Sequence, residues 1–495
     1  MLTLAVFLPL LGLIGVAALS AERAALIRTV ALGSSGLTLL LWVGLWLAFE
    51  PGAGFQFVDE AAWIPELGVS YAVGVDGISL PLCLLTALLF PAALVFSWDQ
   101  TDRVKEYYGW FLFLEMACLG VFAALDLFLF YVFWDLTLVG MYFIIAIWGH
   151  EGAREAALKF FIYTLLGSLA LLLGVIVLYL ATEPYTTDMR ELMRQQPLAG
   201  AGWRGTLVFF ALLLGFAIKT PLAPVHTWLP PAHADAPAPG SAILAGVLLK
   251  MGTYGFIRIL LAMLPDAFQR FAPLVVTLGV ISVIYGALVA LAQRDLKRLI
   301  AYTSINHMGY VIMALGAVAW LGLGSVEARM LAVNGAVLQM VSHGLITGAL
   351  FLLAGVLWRR AHSFEIDGFG GLARCTPRFA GAFFLAAFAS LGLPGLSGFV
   401  AEFQIFVGTF GIQPWAAAIA LLGVVITAGL MLWTMQRVFL GEMPERWAGM
   451  DDIRWYEGAA LWPLLALVVI IGLLPGWVLT VIDGGARDLL QGLAP

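Results

Sequence analysis

The sequence predicts an all-α, polytopic membrane protein of about fourteen spanning helices, and three observations lead there. Hydrophobic residues make up 62% of the 495 and charged residues only 11%, against about 45–50% and about 25% in an ordinary soluble domain. Apolar runs of helical length recur along the whole chain, punctuated by short stretches of Gly, Pro and charge. A bilayer core of about 30 Å takes roughly 20 residues per helix, so about fourteen helices with short connections consume nearly the whole length.

Taken in order, the first run, 2–19, lacks the basic flank of a secretion signal and reads as a spanning helix. Further spans are expected at 28–48, 77–97, 108–125, 127–148, 157–181, 205–228, 240–262, 271–292, 299–320, 330–358, 378–410, 414–438 and 459–481. The segment around Pro221, Pro224 and Pro230 and the run 378–410 carry too much Pro and Gly for straight helices, so both are expected to be broken. Interrupted spans in corresponding positions of two halves mark an inverted-repeat transporter with its path at the midplane. The chain then divides into helices 1–3 (1–106), two inverted five-helix repeats (107–263, helices 4–8, and 264–440, helices 9–13) and a C-terminal helix 14 (441–495). Five is odd, so the second repeat starts on the opposite side.

Sixteen of the 25 basic residues fall in loops on one side and six on the other, which predicts both termini on the outer side of the membrane. A net charge of -6 offers no clustered basic surface for nucleic acid. Three scattered cysteines, Cys83, Cys118 and Cys375, form neither a disulfide framework nor a metal site, so no metal, cofactor or redox centre is expected in this chain.

Ionisable groups inside spans carry the functional signal. Each costs about 2.5–3.5 kcal/mol on insertion scales, so those that persist usually face water or a protein interior and serve transport. Asp135, Lys219, Lys250, His307, His343 and Glu402 all sit among apolar or small neighbours, and Glu115 is a seventh near a helix middle. Mid-span lysines are too far from either interface to snorkel. Lysines, carboxylates and histidines along a hydrated path are what a proton relay requires. A carboxylate about 7 Å away stabilises a charged lysine by roughly 2.4 kcal/mol at an effective dielectric of about 20, so moving it would load or unload the lysine. Arg258, near a span end, reads as an interface anchor.

The strings FYVFWDLTLVGMYFIIAIWGH, GFAIKTPLAPVHTWLPPAHADAPAPGSAILAGVLLKMGTYGFIR, DLKRLIAYTSINHMGYV and GLPGLSGFVAEF resemble the antiporter-like, proton-pumping subunits of respiratory complex I, NADH-quinone oxidoreductase, from about Tyr71 to about Glu442. Related chains occur in multi-subunit sodium/proton antiporters and membrane-bound hydrogenases. The resemblance implies that Asp135, in place of the family's glutamate, pairs with Lys219 of the broken helix. It likewise implies that Lys250 is the central lysine, that His307 and His343 belong to the central axis, and that Glu402 ends the channel. Glutamate there, and the absence of a long C-terminal extension, favour the M-type subunits over the L and N types. Pro231 replaces the usual acidic residue near the inner mouth, where His226 and His233 remain as proton-uptake groups or caps for the broken helix.

The implied function is proton translocation coupled to quinone reduction elsewhere in the complex, with a sodium/proton antiporter or hydrogenase subunit as the alternative. NADH, FMN, iron-sulfur clusters and quinone are expected in partner subunits. The expected partners are L- and N-type antiporter-like subunits, small membrane subunits and the lipid of a bacterial inner membrane. Two other readings of the residues are a haem protein with His307 and His343 as ligands, and a structural spacer.

Overall fold

The computed structural model describes residues 1–320 and 323–493. Helices α1 (Leu2–Ala18), α2 (Ala24–Ala48), α3 (Ser79–Phe96), α4 (Val104–Ala123), α5 (Leu127–Trp148) and α6 (Ala153–Leu180) are followed by a short α7 (Met189–Gln195) and by α8 (Trp203–Lys219). Beyond α8 lie the short α9 (Leu229–Asp235) and α10 (Ala238–Ile243). A π-helical turn, Leu244–Leu248, joins α10 to α11 (Leu249–Gly255), and a second, Phe256–Leu261, closes that span. The remainder is α12 (Pro265–Leu291), α13 (Leu296–Ala319), α14 (Val326–Ala361), α15 (Pro377–Ser390), α16 (Ser397–Ile412), α17 (Pro414–Phe439), α18 (Trp455–Leu473) and α19 (Gly476–Gln491). Among the described residues, nine helical stretches are long and apolar enough to cross a membrane. Several helices start where a side chain accepts the orphan N–H groups of the first turn: Asp126 for α5, Asp188 for α7, Asp295 for α13 and Ser325 for α14.

The all-α expectation fails in one place. Residues Gln56–Ile64 and Val69–Val75 form an antiparallel hairpin, β1 and β2, turned through Gly68 at φ 63°. Asp59 and Glu60, adjacent in β1, interrupt its alternation. Packing supplies what local pattern lacks: Val73 and Val75 are fully buried, and the Leu125 N–H bonds the Ala72 carbonyl at 2.9 Å.

A second correction concerns the last span. The expected helix 459–481 stops at Leu473, because Leu474 precedes Pro475 and leaves helical geometry. Helix α19 then lies against the chain at Gly52, Gly77 and Asn334, whose amide donates to Asp483 at 3.0 Å. Met1 pairs with Asp59 of the hairpin at 3.0 Å, so amino terminus, hairpin and α19 share one face. On the opposite face Glu457, fully buried at the start of α18, receives Arg359 at 3.2 Å and Arg360 at 2.7 Å from the end of α14.

At 36 residues α14 is about 54 Å long. It packs against α3, α10, α13, α15, α16, α18 and α19, which makes it the central strut of the molecule.

Candidate functional site

Both expected breaks are present, and each puts an ionisable group beside irregular backbone. Helix α8 ends at Lys219, and the freed carbonyls find partners: Trp228 Nε1 donates to the Ile218 carbonyl at 2.9 Å and the Leu222 N–H to that of Ala217 at 2.9 Å. The Ala223 N–H is taken by Ser282 Oγ at 3.0 Å. Non-helical backbone at membrane depth is tolerated only when satisfied in this way. The second break, between Ser390 and Ser397, turns through Gly392 (φ 77°) and Gly395 (φ 92°). A Cβ on Gly392 would stand 2.7 Å from Glu402 Oε2, so glycine is required there by backbone and by carboxylate alike.

Four of the six main candidates form one contiguous axis. Lys250, fully buried between the two π-helical turns, donates to the Ala245 carbonyl at 2.5 Å and meets His343 Nδ1 at 2.6 Å. π-bulges concentrate at functional sites because they free carbonyls, and the Ala245 carbonyl is taken up by the lysine itself. The rings of His343 and His307 lie 5.4 Å apart. His307 Nδ1 is 3.3 Å from Glu402 Oε1 and 3.2 Å from Gln339 Nε2, while its Nε2 is 3.3 Å from Ser390 Oγ at the second break. A charged Lys250 can only donate, and in that state His343 Nδ1 accepts and the ring proton stands on Nε2, an atom with no hydrogen-bond partner among the described residues.

Asp135 and Lys219 are not in direct contact. Lys219, 1% exposed, donates to Thr137 Oγ1 at 3.0 Å and lies over the Trp134 ring at 4.9 Å, whereas Asp135 is partly exposed and takes its hydrogen bond from Ser168 of α6. Among the described residues no hydrogen bond joins Lys219 to Lys250. Their elements meet at Thr220 and Gly252, where a Cβ would overlap Thr220 Oγ1, a buried hydroxyl without a partner.

The secondary candidates stand apart from this axis. Both carboxyl oxygens of Glu115 are buried without partners on α4, as is Ser35 Oγ on α2. His226 stacks edge-on to Tyr285 at 4.9 Å; His233 lies flat on Phe351 at 4.4 Å with neither ring nitrogen bonded. Neither side chain caps the broken helix, a role that falls to Trp228. Arg258 is not an interface anchor: it is 4% exposed and bonds Asp76 at 2.6 Å. A reading limited to ionisable groups passed over Thr137, Gln339, Ser390 and Trp228. The signal for Thr137 was its place two residues from Asp135 in an otherwise apolar span; Gln339 and Ser390 gave none.

Comparison with known proteins places these features in a family. The family model for the transmembrane part of NADH:quinone oxidoreductase/Mrp antiporter subunits matches residues 124–427. The chain is 41% identical to the NADH-quinone oxidoreductase subunit M of Rhodobacter capsulatus, over 99% of this chain and 96% of that one. It is also 41% identical to the F(420)H(2) dehydrogenase subunit M of Methanosarcina mazei, over 93% and 91%. Its fold superposes on a chain of the respiratory complex I of Thermus thermophilus with a TM-score of 0.89, 30% identity and full coverage of both chains.

Proposed function

Because this chain belongs to the family of NADH:quinone oxidoreductase/Mrp antiporter membrane subunits, we propose that it carries protons across the membrane as an M-type subunit of NADH-quinone oxidoreductase. In this reading it spans a bacterial inner membrane with about fourteen helices in two inverted five-helix repeats, both termini outside. Its neighbours are L- and N-type antiporter-like subunits and small membrane subunits. NADH, FMN, iron-sulfur clusters and quinone belong to other subunits, whose quinone reduction drives the cycle.

The observation that carries this reading is the contact sequence Lys250, His343, His307, Glu402, in which each ionisable group adjoins the next. Lys250 passes a proton to His343 Nδ1, and the ring releases its other proton from Nε2 toward His307. Once His307 Nδ1 carries a proton it donates to Glu402, and the Gln339 amide turns so that its unpartnered oxygen faces the ring. Lys219 is the inward member. Its ammonium is held by Thr137 and Trp134, and movement of Asp135 between Ser168 and the lysine changes the stability of its charge. Thr220 stands where the elements that bear Lys219 and Lys250 meet. Glu115, His226 and His233 are secondary groups of the proton path, the two histidines on its uptake side.

Replacement of Lys219 by Ala in the whole complex is expected to abolish proton pumping in reconstituted vesicles, and Asp135→Ala to impair it while Asp135→Glu is tolerated. Full pumping in Lys219→Ala would refute the role. Purification of the complex with NADH dehydrogenase subunits attached would separate this function from that of a sodium/proton antiporter.

A further inference from the structure

We propose that Gln339 is a positioning residue that makes the hand-over from His307 to Glu402 one-way. Its amide closes His307 Nδ1 once that nitrogen has given up its proton, so that return from Glu402 is disfavoured. This rests on the proton-translocation reading above and adds a group that carries no proton itself. Two neighbours compete for one ring nitrogen: Gln339 Nε2 stands 3.2 Å from His307 Nδ1, and Glu402 Oε1 stands 3.3 Å from the same atom. An amide nitrogen only donates. In this arrangement Nδ1 is therefore bare, and the neutral ring keeps its proton on Nε2, where Ser390 Oγ accepts it at 3.3 Å. A carboxylate oxygen only accepts, so it needs the opposite state of Nδ1. Glu402 thus stabilises the ring before the transfer and Gln339 stabilises it afterwards.

In the transfer the Nδ1–H bond breaks and an O–H bond forms on Glu402 Oε1. The amide, turned back, then donates to the emptied lone pair, and a returning proton must first break that bond. Gln339 precedes His343 by one turn of α14, so a single helix presents to the His307 ring both the group that delivers the proton and the group that closes behind it. The side chain is buried, and among the described residues this is its only hydrogen bond, its oxygen having no partner. A buried amide oxygen left unpaired lowers stability, so a role in fastening α14 to α13 explains the residue poorly. The other titratable groups around the ring are His343 on α14, with Lys250 beyond it, Glu402 on α16, and Tyr310 on α13 itself, its ring 5.9 Å away. From α12 and α17 this stretch of α13 meets Val283 and Thr427, which bear no charge.

The test follows the ratio of protons to electrons in vesicles containing the whole complex while the pumped side is acidified in steps. Gln339→Met keeps the length of the side chain and loses the donor. A hydrogen bond of this kind shifts an equilibrium by about three- to tenfold. The pH of the pumped side at which this subunit's share of pumping is half lost should therefore move toward neutral by about half to one unit in that variant. Should Gln339→Met not assemble, Gln339→Asn, one methylene short of the ring, serves in its place with the same expectation. An assembled variant whose half-loss stays at the wild-type pH overturns the proposal. So does one that pumps less by the same factor at every pH, which would assign Gln339 to packing. Glu402→Gln in the same assay separates the two readings: its full pumping would sink the translocation reading, whereas its failure beside an unshifted Gln339→Met would sink the one-way role alone.

Discussion

Glu402→Gln removes one charge and almost no volume from the end of the buried axis. With Glu402 Oε1 3.3 Å from His307 Nδ1, the attraction between carboxylate and imidazolium is about 5 kcal/mol at an effective dielectric of about 20. A tenfold change needs about 1.36 kcal/mol, so losing that attraction is expected to slow the last transfer of the axis by well over tenfold in the Glu402→Gln variant. The amide introduced there would still hydrogen-bond the ring and fill the space against Gly392, so folding is expected to be intact. Glu402→Asp lengthens the gap by about one bond; at roughly 4.8 Å the attraction is about 3.5 kcal/mol, which leaves the variant about tenfold impaired. The assay is the ratio of protons to electrons in vesicles containing the whole complex, with quinone reduction followed in parallel. Electron transfer without this subunit's share of pumping in Glu402→Gln, with Glu402→Asp between it and wild type, is the expected outcome. An unchanged ratio in an assembled Glu402→Gln complex would refute the reasoning, as would an aspartate variant worse than the glutamine.

Thr137→Val removes the only hydrogen bond to another side chain that the Lys219 ammonium makes among the described residues. Bonds to charged groups are worth about 1.5–3 kcal/mol, so the pumping rate should drop about tenfold or more with the subunit still assembled. Glu457→Gln strips Arg359 and Arg360 of a shared buried partner on the face opposite the hairpin. It should destabilise the α14–α18 junction by about 3 kcal/mol, seen as a lower melting temperature of the detergent-solubilised complex. His150, in the loop after α5, has its pKa lowered to about 4 by burial and, secondarily, by Lys297. Its unfolded value is near 6.5, so the unfolded chain takes up the extra proton as the medium acidifies. The stability tied to neutral His150 is complete above about pH 6.5 and is lost as pH falls toward about 4, by about 2–3 kcal/mol. Thermal melts between about pH 7 and pH 4 should show that loss, and His150→Asn should flatten it.

Much of the architecture was legible because the bilayer imposes a length rule that composition obeys. Apolar runs of about 20 residues and Pro- and Gly-rich interruptions marked most of the helices and both breaks, and isolated charges within apolar runs picked out four side chains that the structure brings together. The hairpin escaped because its alternation is diluted by acidic residues and its burial is supplied by distant helices. The break at Leu474–Pro475 escaped because hydropathy alone continues through it, and what ends the helix is the non-helical conformation of Leu474 ahead of the proline.

By itself, the sequence determined what kind of side chain stands at each depth of the apolar interior, since an ion in hydrocarbon is costly wherever the chain places it. Only the tertiary structure decided which of these groups touch. Lys250 reaches His343 across 93 positions and Arg258 reaches Asp76 across 182, while Asp135 turns to Ser168 rather than to Lys219. The physical reason is range: whether a stretch is apolar enough to enter a bilayer is a property of consecutive residues, whereas a hydrogen bond needs two atoms within about 3 Å, and that proximity comes from helix packing.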